Sequence, residues 1–87
     1  MIYIAWTSDD INGLARIGIC SLWTEVDGNG LVTRELGFDC DGHVVHKVPS
    51  GAKRFGLFDN QVVVVTQNNL CIKPEQFNEV WGLSPTE

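Results

Sequence analysis

Hydrophobic and polar positions alternate along most of this chain with the two-residue period of a β-strand. Ile2, Ile4 and Trp6 alternate with Tyr3 and Ala5 and predict a first strand. Leu14 to Asp27 predicts a second, with Ala15, Ile17, Ile19, Ser21 and Trp23 on one face and Arg16, Gly18, Cys20, Leu22 and Thr24 on the other. Apolar groups on both faces suit a strand covered on both sides. Gly18 inside it predicts a bulge or a close approach by another element. Leu31 to Cys40 predicts a third strand, with Val32, Arg34, Leu36, Phe38 and Cys40 on the core face, and His43 to Val48 a fourth. Asp27-Gly28-Asn29-Gly30 and Asp41-Gly42 separate these strands and supply residues that tolerate positive φ, as tight hairpin turns require. Leu22 to Val48 therefore reads as an antiparallel meander.

The second half is less regular. Pro49 to Arg54 breaks the pattern and reads as an exposed basic loop, and Val62 to Val65 suits a strand buried on both faces. Leu70 to Ile72 is a short extended piece. The last element changes period: Phe77, Val80 and Trp81 fall at i, i+3 and i+4, which is one stripe of a helix. Pro74 fits its first position, Glu75 complements the dipole there, and Gly82 is a natural stop. So short a helix does not persist alone, so it must dock on the sheet, with Phe77 and Trp81 as its anchors. The expected fold is α+β: a twisted antiparallel sheet of five to six strands with one short C-terminal helix packed on it. Residues 1–87 form a single domain, with 82–87 as a frayed tail.

Arg34 shares its predicted face with apolar residues, and a half-buried arginine needs a carboxylate. Glu25, across the Gly28-Asn29-Gly30 turn, supplies one, and a Glu25–Arg34 structural clasp is expected. Cys40, His43 and His46 lie close in sequence, but one thiolate and an intervening turn make a poor structural zinc site. No metal and no cofactor is expected. The two histidines have pKa values suited to general base work, yet no recognisable nucleophile setting accompanies them. Three widely spaced cysteines, Cys20, Cys40 and Cys71, argue against a disulfide framework. No apolar run approaches the roughly 20 residues that span a bilayer, and the N-terminus has no basic leader. These features lead to the expectation of a cytoplasmic protein with reduced thiols and no membrane partner.

Net charge is −5, and it is uneven. Asp9, Asp10, Glu25, Asp27, Glu35, Asp39 and Asp41 face only Arg16 and Arg34 within residues 1–45, whereas the rest of the chain is balanced. Such a surface repels phosphate backbones, which disfavours direct nucleic-acid binding, and attracts basic proteins. The turn-borne acids Asp9, Asp10, Asp39 and Asp41, with Asp59, are the expected contact residues.

Trp6, the Glu25-Val26-Asp27 segment, the Arg34-Glu35-Leu36 strand, Asp41-Gly42 and the closing Pro74-to-Trp81 helix together resemble a group of small bacterial β-rich proteins. The chain departs from that pattern at Gly37 and Asp39. It is also similar to the small immunity proteins encoded beside contact-dependent growth inhibition toxins. The resemblance implies a toxin inhibitor rather than an enzyme: a protein that covers the active site or substrate face of a cognate C-terminal toxin domain, expected to be a basic nuclease and specifically an RNase. Two alternatives stay open. One is a non-catalytic interaction module with another partner, including a homodimer through an open sheet edge. The other is a small enzyme that uses His43 or His46 with Cys40.

Overall fold

The computed structural model describes residues 1–8, 11, 13–49 and 70–83. Among these, β1 (Ile2–Thr7), β2 (Ser21–Val26), β3 (Val32–Phe38) and β4 (Val44–Val48) form an antiparallel sheet, and the two-residue β5 (Leu70–Cys71) pairs with β1. The strand order is β4-β3-β2-β1-β5. The helix α1 (Pro74–Leu83) follows. An antiparallel sheet with one C-terminal helix is α+β, as the periodicity predicts. The finer count of five to six strands takes in Val62 to Val65, and that segment and the loop expected at 50–54 lie outside the described residues.

The two faces of the sheet are buried by different elements. Tyr3, Leu36, Phe38 and Ile72 pack with Phe77 of α1, and Ala5, Trp23, Val44, Val80 and Trp81 join them. Neighbouring strand residues point to the opposite face. There Ile4 and Val26 pack with Trp6 and Val32, and Leu22 packs with Leu14 and Ile19. Phe77 and Trp81 thus lie between helix and sheet: Phe77 is fully buried, its ring 5.0 Å from Tyr3 and 6.1 Å from Trp81. Lys47, buried in β4, donates from Nζ to the Trp81 carbonyl oxygen at 2.9 Å and lies 4.7 Å from the Trp81 ring. A cation there meets the carbonyls that the end of a helix leaves unpaired.

Five sequence expectations are corrected. The second strand starts at Ser21, not Leu14: Ala15–Ile17 form a short 3-10 turn that ends at Gly18, whose φ of 79° is left-handed. Gly18 therefore serves as a turn cap rather than a bulge. The third strand buries both faces from Glu35 onward, since Glu35 and Gly37 are as enclosed as Leu36 and Phe38. Gly82 does not stop the helix, which continues through Leu83. Finally, Cys20 and Cys40 form a disulfide, with Cα atoms 5.2 Å apart, inside the usual range. Cys71 is exposed and lies outside it.

Candidate functional site

The two turns of the meander are built alike. In the first, Asp27 Oδ1 accepts from the amides of Asn29 and Leu31 at 2.8 and 3.0 Å, and the Gly30 amide donates to the Asp27 carbonyl. In the second, Asp39 Oδ1 accepts from the amides of Asp41 and His43 at 3.0 and 2.9 Å, and the Gly42 amide donates to the Asp39 carbonyl. Gly30 and Gly42 take φ of 83° and 87°, which a side chain resists. Asp-x-Asn-Gly and Asp-x-Asp-Gly are thus one five-residue design used twice, with aspartate bonding the backbone ahead of it.

The second copy is the candidate site. Asp39 Oδ1 is committed to the turn, while its Oδ2 lies 3.5 Å from His43 Nδ1. The His43 amide, and after it the Asp41 amide and the nearby imidazole, hold the Asp39 carboxyl below the usual carboxylate range despite a partial opposing effect of burial. Asp41 occupies the position of Asn29 and is exposed. The result is a rigid turn that presents two carboxylates at one end of the sheet. Asp39, Asp41 and His43 also bring one potential metal-ligand atom each within 4.8 Å of one another. A hard cation there would take most of its oxygens from water. Asp9, Asp10 and Asp59 lie outside the described residues.

A second polar cluster joins sheet to helix. Glu25 and Arg34 stand opposite each other in the β2–β3 ladder, and both Arg34 Nε and an Arg34 Nη donate to the Glu25 carboxylate, Nε at 2.9 Å. Tyr3 donates its hydroxyl to Glu25 Oε2 at 2.8 Å, and Thr33 donates to Oε1 at 2.6 Å. The ladder shifts register between Glu25 and Val26, so β3 carries one extra residue, and this re-aims Thr33 toward Glu25. The guanidinium continues outward: it donates to Asn78 Oδ1 at 2.8 Å and lies 4.9 Å from both the Phe77 and Trp81 rings. Hydrogen bonds from Arg34 first, then from Thr33 and Tyr3, outweigh burial and pull the Glu25 carboxyl down to about 2. So weak a base accepts no proton near neutrality, and the geometry suits a clasp rather than acid–base chemistry.

The histidines and Cys40 do not converge. His43 is exposed in the turn. His46 is buried on the face away from α1, where its Nε2 lies 2.8 Å from Glu35 Oε1. Cys40 is bonded to Cys20, and a disulfide sulfur is no thiolate nucleophile. Sequence reasoning missed Tyr3, Thr33 and Asn78 around the clasp, Lys47 at the helix end, and the Glu35–His46 pair. The signal for the last was available, because an antiparallel hairpin through Asp39 and Gly42 brings Glu35 diagonal to His46.

No helix among the described residues is long and apolar enough to cross a membrane. Compared with known proteins, the chain matches no family model, no curated protein and no solved structure.

Proposed function

We propose that this domain is an immunity protein of a contact-dependent growth inhibition system. In this reading it binds the C-terminal toxin domain of its own cell's system in the cytoplasm, and that domain is a basic RNase. The observation that carries the reading is the Asp39–His43 turn. It is a hydrogen-bonded turn that carries a half-buried Asp39 carboxylate and an exposed Asp41 carboxylate on the acidic half of the chain. Nucleases that hold phosphate present cationic surfaces, and fixed opposite charges speed encounter and select partners. A carboxylate already locked in place loses little freedom on binding, which favours affinity. A sheet of five to six strands, clasped to its helix through Glu25 and Arg34, keeps the turn in position. Asp9, Asp10 and Asp59, which lie outside the described residues, are proposed as further toxin contacts on charge alone.

The test is neutralisation. The toxin domain encoded beside this gene is expressed in cells with and without this protein. The reading expects growth to be restored, a one-to-one complex to co-purify, and RNA cleavage by the purified toxin to stop at equimolar ratio. Persistent toxicity with both proteins present and folded would contradict it.

A further inference from the structure

The disulfide sits where reagents reach it. Cys40 is exposed in the β3–β4 turn, and Cys20 is half-buried just ahead of β2. The backbone at Cys20 and around Cys40 is already held: the Cys20 amide donates to the Phe38 carbonyl at 2.8 Å, and the amide of Asp39, next to Cys40, donates to the His43 carbonyl at 2.9 Å. The turn also has its own Asp39 and Gly42 bonds. The two sulfurs therefore remain close whether or not they are bonded. Such a pair closes readily on oxidation and opens without unfolding the sheet, unlike a staple buried in a core.

We propose that Cys20–Cys40 is a reversible redox site whose partner is a low-molecular-mass thiol. A thiolate attacks Cys40 Sγ, the accessible sulfur. The Sγ–Sγ bond breaks, and Cys20 departs with the electron pair and takes a proton. Cys40 is left in a mixed disulfide with the small thiol. A second thiolate attacks the small-molecule sulfur of that mixed disulfide and frees Cys40, which is protonated in turn. Two thiols become one small disulfide, and the protein pair gains two electrons and two protons.

The neighbouring charges select among thiols. Asp39 and Asp41 flank Cys40 and are the carboxylates of the same turn. An anionic thiol approaches against their field and a cationic one with it, and added salt screens the difference. Opening the bond removes the covalent tie between the turn and the segment that ends at Cys20, while the Cys20 amide still donates to the Phe38 carbonyl. The Asp39 and Gly42 bonds persist, so the turn loosens rather than unfolds.

The test reads sulfur chemistry and needs no toxin. The full chain with Cys71→Ser is purified without reductant, incubated folded with glutathione or with cysteamine, quenched, alkylated and mapped by mass spectrometry. The expected product before reduction is a peptide pair linked through Cys20 and Cys40. Both thiols should open the bond in native buffer. After normalisation to a neutral model disulfide, cysteamine should act several-fold faster than glutathione at low salt, with the gap closing at high salt. Opening a 20-residue loop should also lower Tm by several degrees while circular dichroism still shows the sheet. Absence of the linked peptide would overturn the proposal. So would a bond that opens only after denaturation, which marks a permanent staple, or equal normalised rates for the two thiols at low salt.

Discussion

Glu25 shows how much one side chain can be made to carry. It is almost fully buried, and its carboxylate is met by Arg34, Thr33 and Tyr3. Its carboxyl titrates from 4.5 in the free state to about 2 in the fold. A depressed carboxyl contributes stability that is fully present above the unfolded value and is lost as pH falls through the folded one. The difference corresponds to about 3 kcal/mol, an upper figure because Arg34 is partly exposed. Thermal unfolding should therefore show Tm falling between about pH 5 and pH 2, and Glu25→Gln should flatten that part of the profile. An identical profile in the variant would place the pH dependence elsewhere. The pairing of Glu25 with Arg34 is readable from one charge among apolar neighbours and another across a tight turn. Thr33 is not readable, because it reaches Glu25 only through the extra residue in β3.

Gly37 is a second informative residue. A Cβ there would stand 2.7 Å from His46 Cβ and 3.1 Å from Ile19 Cδ1. The reason for glycine is space taken by β4 and by the segment ahead of β2. Gly37→Ala should cost about 1–3 kcal/mol, seen as a lower urea midpoint at unchanged slope. Equal stability would mean that His46 can move aside.

At the scale of elements, the chain announces its turns better than its edges. Asp27-Gly28-Asn29-Gly30 and Asp39-Cys40-Asp41-Gly42 each combine an acceptor side chain with a glycine at positive φ, and both hairpins follow. The segment before β2 misleads, because Ala15, Ile17 and Ile19 alternate as a strand would. Gly13 and Gly18, both at positive φ, bracket a 3-10 turn instead. The disulfide was within reach of the same reading: the meander's register sets Ser21 opposite Phe38, which brings Cys20 beside the second turn. Cysteine counting alone discards that geometry. For α1, the apolar stripe is decisive, and Phe77 is its buried centre. Phe77→Ala should cost about 3–5 kcal/mol, a large share of a small domain's stability, whereas exposed Leu83→Ala should change little. Chemical denaturation of both variants checks this. Similar losses for the two would mean that the helix does not dock through Phe77.

At the scale of the molecule, the buried carboxylates among the described residues are committed to structure, and Asp27, Asp39 and Asp41 lie on turns. Glu25 is bound in the clasp and Glu35 faces His46, so these two acids of the first half do not reach a partner. Asp27 sits in the first turn, where Asn29 occupies the place that Asp41 holds in the second. Apart from the imidazole of His43, which stands where the first turn has Leu31, the two turns differ in charge at a single equivalent position. That contrast supplies the variants. Asn accepts the same backbone bonds as Asp, so Asp39→Asn with Asp41→Asn removes charge and keeps the turn. The most direct measurement is a titration of the native domain and this double variant with the cognate toxin domain at low and high salt. The native domain should form a one-to-one complex whose low-salt affinity falls at least about tenfold in the variant, mainly through slower association, with the difference shrinking as salt is raised. Equal low-salt affinities for the native domain and the double variant would contradict it.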